Sequence, residues 1–207
     1  MKLLIYFFFT TVLLSSSYPS FSKKELHNIK KTSGSIAKNR AEDYQNNIRS
    51  YKTIGKEKQL LKVNFYLNQL LSQYDSVIQK REDYWATPKE FLLAGYGDCE
   101  DYVIIKYFTL LKLGFDENKL YFTTVYEKYT GGYHMVLSYF QTKDKSPLIL
   151  DNLSFRILSL KAREDLKADV FINSNGMFKI GKKNKLYKTH TSNNKFKSLI
   201  YRIKKED

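Results

Sequence analysis

Cysteine is almost absent from this chain of 207 residues, where Cys99 stands alone. A single thiol forms no internal disulfide, so the fold is not a disulfide-stapled scaffold. Histidine is nearly as scarce: His27, His134 and His190 lie far apart and, with one Cys, give no zinc-site spacing. Only 3 Pro and 9 Gly are present, which excludes collagen-like and low-complexity chains. No stretch reaches the roughly 20 consecutive apolar residues of a membrane-spanning helix. Acidic residues are outnumbered, 21 Asp and Glu against 35 Lys and Arg, giving a formal charge of +14 that favours acidic partners. The Lys-rich stretch from Lys179 onward lacks the ordered aromatics of a nucleic-acid platform. It reads as a solvated basic extension over residues 179–207, with no nucleic-acid partner.

What is present belongs to one folded domain: hydrophobic residues make up 43% and aromatics 15%. The N-terminus reads as a secretory signal peptide over residues 1–22. Lys2 is its charged start, Leu3 to Leu14 its apolar run, and Ser20-x-Ser22 its small-residue cleavage site, with cleavage after Ser17 the second choice. An uncleaved anchor is the alternative. Export places Cys99 where thiols are at risk of oxidation, so a buried inert Cys competes with a functional one.

Residues 23–55 form a basic lead-in whose first part, Lys23 to Lys38, shows no apolar period and is expected to be loose; a helix begins within Ile36 to Lys56. From Glu57 to Lys80, Leu60, Leu61, Val63, Tyr66, Leu67, Leu70, Leu71 and Tyr74 recur at helical spacing, a core-facing stripe. Thr87, Pro88 and Glu90 form a capping box ahead of a short helix. Gly95-Tyr96-Gly97 then breaks the chain, and Asp98 caps a helix from Cys99 to Leu113. Beyond it the period changes. Lys119–Tyr126, Gly132–Gln141 and Ser146–Leu153 read as strands, with shorter ones at Arg156–Leu160, Asp169–Asn173 and Met177–Ile180. Helices followed by an antiparallel sheet define an α+β domain.

Cys99 falls on the first turn of its helix, where unpaired N–H groups and the helix dipole favour a thiolate nucleophile. Such a thiol needs a base, and His134, at the start of a strand after Gly131-Gly132, is better held than His27 or His190. Asp151, after three aliphatic residues, stands where a neighbouring strand would present it to that imidazole. On spacing alone, a strand-end Asp-Asn turn is the simpler reading of Asp151.

The strings Asp83-Tyr84-Trp85-Ala86-Thr87-Pro88-Lys89-Glu90-Phe91, Gly97-Asp98-Cys99-Glu100-Asp101-Tyr102, Lys106-Tyr107, His134-Met135-Val136-Leu137 and Leu150-Asp151-Asn152-Leu153 resemble those of the bacterial transglutaminase-like cysteine proteinases, the LapG family. The resemblance spans roughly residues 56–178. It implies a papain-like fold with Cys99 as nucleophile, His134 as proton shuttle and Asp151 as its orienting partner. The Cys99 N–H would help form an oxyanion hole, with Trp85 shaping that pocket. It further implies Ca2+ bound by Asp98, Glu100 and Asp101. The implied setting is periplasmic: release of a large surface adhesin by cutting its N-terminal retention segment, and sequestration by an inner-membrane cyclic di-GMP receptor. The same triad would serve a transglutaminase or amidase. A non-catalytic calcium- or receptor-binding module is the reading from another class.

Overall fold

The structure, a computed structural model, describes residues 18–72 and 84–206. The proposed leader lies outside the described residues up to position 17, as does the segment 73–83 into which the helix expected to reach Lys80 would run.

Helix α1 (Lys23–Thr32) opens on a capping box in which the Ser22 hydroxyl accepts the Glu25 N–H and the Glu25 carboxylate accepts the Ser22 N–H. Helix α2 (Gly34–Tyr51) buries Ala37, Ala41, Tyr44, Ile48 and Tyr51. The part of the lead-in expected to be loose, Lys23 to Lys38, is therefore helical and packed, while α2 is the helix expected to begin within Ile36 to Lys56 and starts slightly earlier. Its apolar face is built from alanines and tyrosines among many charges, which dilutes the apolar period. Helix α3 (Lys56–Leu67) ends before the short strand β1 (Leu71–Ser72).

Helix α4 (Pro88–Ala94) carries the expected capping box of Thr87 and Glu90. It ends at Gly95, whose φ of +81° suits glycine, beside Arg40 of α2, which donates to the Leu92 and Leu93 carbonyls. Strand β2 (Tyr96–Gly97) pairs in parallel with β1, and helix α5 (Cys99–Lys112) follows at once. Ten residues of α5, Asp101 to Leu110, are buried in succession, so the helix is the centre of the core rather than one wall of it.

The rest of the chain builds an antiparallel sheet from β3 (Leu120–Glu127), β4 (Gly132–Tyr139), β5 (Leu148–Asp151), β6 (Ser154–Ser159), β7 (Leu166–Asn173), β8 (Gly176–Ile180) and β9 (Leu186–His190). Their order across the sheet is β6-β5-β4-β3-β7-β8-β9. Met135, Leu137, Leu150 and Phe122 from the sheet meet Ile104, Tyr107 and Phe108 of α5 in the main core. This is the helix-on-antiparallel-sheet α+β arrangement expected from the sequence.

The basic extension is not a solvated tail. It supplies β9 and then helix α6 (Asn194–Glu206), whose Phe196, Leu199 and Ile203 are buried at steps of three and four residues. Lysines between those positions hide an ordinary amphipathic stripe. Glu206, near the end of α6, accepts hydrogen bonds from the Tyr18 hydroxyl at 2.6 Å and the Thr87 hydroxyl at 2.8 Å. Both ends of the described chain thus meet beside the start of α4.

Candidate active site

Gly97 turns the chain into α5 so closely that a side-chain carbon there would lie 2.5 Å from the Asp101 carboxylate and 2.8 Å from the Phe91 ring. Asp98 is the N-cap, its carboxylate accepting the Glu100 N–H at 3.2 Å. Cys99 is therefore fixed as the first helical residue, facing the sheet beside Met135, the residue after His134. Its thiol donates to the Glu100 carboxylate at 2.8 Å. Burial raises the Cys99 pKa far above the ordinary thiol range. The Glu100 and Asp98 charges add to the rise, against a smaller lowering by the Met135 N–H. The helix start that favours a thiolate is thus outweighed by desolvation and neighbouring carboxylates.

His134 sits in β4 opposite Val125 of β3. Its Nε2 is 2.8 Å from Asp151 Oδ1, leaving Nδ1 as the ring nitrogen available to the thiol. Asp151 ends β5 just where the register with β6 shifts, an irregularity of the kind that re-aims a strand side chain. It is fully buried, and every carboxylate oxygen is engaged: Oδ1 also accepts the Leu153 N–H at 3.0 Å, and Oδ2 accepts from Arg163 at 2.9 Å. Burial alone would raise its pKa. The bonds from His134, Leu153 and Arg163 overcome that and hold it at about 2.

Arg163 was not legible as a site residue. It follows the turn after β6, grips Asp165 through Nε at 2.9 Å and Nη2 at 2.6 Å, and reaches Asp151 with the same Nη2. Its sequence signature is only an Arg-x-Asp in a polar turn. Lys195 of α6 was also missed. It lines one cleft with Trp85, Cys99, Glu100, Thr124, Tyr133, His134 and Met135, its ammonium 5.9 Å from the centre of the Trp85 ring. Trp85 is 5% exposed, and its indole N–H is buried without a hydrogen-bond partner.

The three carboxylates singled out as metal ligands separate into two roles. Asp101 is 3% exposed and turned inward, where it accepts the Ala86 N–H at 2.7 Å and completes the cap with the Asp98 N–H. Asp98 and Glu100 remain half-buried beside Cys99. Among the described residues no three His, Cys, Asp or Glu side chains gather as a metal-holding group. As a donor set, the two carboxylates fit a hard cation that takes further oxygens from backbone or water.

A thiol at a helix start, an imidazole on a strand lining the same cleft and a buried acid bonded to that imidazole stand together on an α+β papain-like frame, an arrangement suited to acyl transfer. The sequence model of the bacterial transglutaminase-like cysteine proteinases matches residues 34–165, and the chain belongs to that family. Among solved structures, calcium-bound Legionella pneumophila LapG is 35% identical with a TM-score of 0.72, covering 86% of this chain and 98% of its own. The EGTA-treated form of the same Legionella protein is 34% identical with a TM-score of 0.74, covering 89% and 99%. No curated protein matches.

Proposed function

We propose that this protein is a periplasmic, calcium-dependent cysteine endopeptidase. Its substrate is the N-terminal retention segment of a large surface adhesin, whose release promotes biofilm dispersal. An inner-membrane receptor that senses cyclic di-GMP sequesters it. The observation behind the reading is the single cleft that holds Cys99 and His134, with Asp151 bonded to the far side of the imidazole. Family membership supports the cysteine peptidase activity, and the calcium-bound and EGTA-treated states of the Legionella relative support the dependence on calcium.

In this reading His134 Nδ1 takes the thiol proton as Sγ attacks the scissile carbonyl. Asp151 fixes the tautomer and stabilises the imidazolium. The tetrahedral oxyanion is received by the Cys99 N–H, one of the free amides of the first helical turn, and by the unpartnered Trp85 indole N–H. His134 then returns its proton to the leaving amine, and water hydrolyses the thioester. Glu100 opposes the first step, because its carboxylate holds the thiol in the protonated form. A calcium ion held by Asp98 and Glu100 would supply the positive charge that offsets both carboxylates.

The test uses residues 18–207 and the N-terminal segment of a large adhesin from the same genome, with calcium and with excess chelator. Cleavage in calcium, lost on chelation, is expected. Full cleavage in chelator would remove the calcium part of the reading, and binding without any cleavage would remove the peptidase part for that substrate.

A further inference from the structure

The cleft that holds Cys99 and His134 is lined by one lysine, Lys195, and one carboxylate, Glu100. Glu100 accepts from the Cys99 thiol at 2.8 Å, so its charge acts at the nucleophile. Lys195 stands by Trp85, its ammonium 5.9 Å from the centre of the indole ring. The cationic group of the cleft therefore accompanies the indole, and the anionic group the thiol.

Although the Lys195 side chain is exposed, its backbone is held on both sides. Phe196, the next residue, is buried and sets its ring against those of Phe122 and Tyr107, at 5.4 and 6.2 Å between centroids. The Asn193 side chain accepts the Phe196 N–H at 3.0 Å, and the Asn193 carbonyl accepts the Lys197 N–H at 3.0 Å. Further along α6, Arg202 donates to the Trp85 carbonyl and pairs with Glu90 at 3.0 Å. One helix thus fixes both the lysine and the tryptophan segment that it faces. Tyr133 lines the same cleft, exposed and braced edge-on by Tyr126 at 5.8 Å. Aromatic walls grip a peptide through apolar area whatever its charge, so charge selection falls to Lys195. Helix α6 lies outside residues 34–165, which the family model matches, so Lys195 is not among the residues that define the family.

We propose that Lys195 is a specificity residue that receives an acidic side chain of the substrate, carried within about two residues of the scissile bond. This rests on reading the cleft as a peptidase site with Trp85 at the oxyanion. An extended chain advances about 3.3–3.6 Å per residue. A carboxylate that meets an ammonium so close to the indole therefore belongs to a near neighbour of the carbonyl held there.

The experiment profiles cleavage by residues 18–207 in calcium. A mixture of synthetic peptides of varied sequence is digested, the cut bonds are read by mass spectrometry, and the best-cut peptide is remade with Glu, Gln or Lys at each position flanking the cut. In wild type one flanking position should favour Glu over Gln about fivefold in kcat/KM, the scale of an exposed ion pair, and disfavour Lys. Lys195→Arg should keep that order, Lys195→Gln erase it and Lys195→Glu reverse it. Melting temperatures should stay unchanged, because the substituted side chain is exposed. A lysine that only braced Trp85 would change kcat alike for all three peptides. No charge preference in wild type, or one that Lys195→Glu leaves in place, would overturn the proposal.

Should no peptide be cut, the peptidase reading fails by itself and binding decides. The adhesin segment, as it stands and with its Asp and Glu replaced by Asn and Gln, is titrated against Cys99→Ala with and without Lys195→Glu. The two losses of affinity should be smaller together than their sum, and additive losses would overturn acidic recognition by Lys195.

Discussion

Arg163 approaches Asp151 from the side that His134 leaves free, so that one carboxylate bridges an imidazole at 2.8 Å and a guanidinium at 2.9 Å. Asp165 behind the guanidinium makes the clamp rigid, binding it through two nitrogens. The Asp151 carboxylate beside His134 is thereby fixed by a salt-bridge pair rather than by the strand alone.

Removing that clamp should cost both stability and turnover. Arg163→Met leaves Asp151 buried without its cation, a change of about 3–5 kcal/mol by chemical denaturation. The pH dependence follows from the low pKa of Asp151. Its stabilising contribution is complete above about pH 4, the unfolded value, and is lost as pH falls toward about 2. In Arg163→Met the folded pKa lies closer to the unfolded one. The acid-unfolding midpoint should therefore move to higher pH, and an unmoved midpoint would show that Arg163 does not hold the charge.

Trp85→Phe keeps the ring against Phe122, 5.6 Å away between centroids, and deletes only the buried indole N–H. If that group receives the oxyanion, kcat should fall about 100-fold with KM little altered. A loss confined to KM would reassign Trp85 to substrate binding.

Calcium dependence is predicted to run through Asp98 and Glu100. Wild type should melt at a higher temperature in calcium than in chelator, and the Asp98→Ala, Glu100→Ala pair should lose that rise. Calorimetry with calcium and with chelator reads this directly. An unchanged response in the pair would place the ion elsewhere.

The first described residues are structural. Tyr18 is 2% and Phe21 7% exposed, the Tyr18 ring meets Phe108 edge-on at 5.7 Å, and the Phe21 N–H donates to Gln45 at 2.8 Å. A chain beginning at Lys23 loses two buried aromatics, about 3–6 kcal/mol, relative to one beginning at Tyr18. Its melting temperature should fall by several degrees or more. Cleavage of the proposed leader after Ser17 would preserve these contacts, whereas cleavage after Ser22 would remove them. Intact mass of the protein purified from its native cells would distinguish these from an uncleaved chain.

The sequence made α4 and α5 legible to within a residue, because Thr87, Pro88, Glu90, Gly95 and Asp98 are punctuation with local physical causes. The strands bearing His134 and Asp151 were legible from their β-branched and aromatic runs. What escaped were elements whose signal is diluted: α1, where Ile29 is the one buried residue among many charges, and Phe196, Leu199 and Ile203 among the lysines of α6. Arg163 and Lys195 escaped for a different reason. Their roles depend on which turn and helix the fold brings to Asp151 and to the Cys99 cleft, and such meetings leave no local pattern.

The most direct test of Cys99 as an acylating nucleophile is intact mass spectrometry of the protein quenched in acid during turnover of a cleavable peptide, in wild type and Cys99→Ala. The account predicts a mass increase equal to the N-terminal product's acyl group on Cys99 in wild type, with neither adduct nor cleavage in Cys99→Ala. Cleavage by Cys99→Ala at the wild-type rate would contradict it.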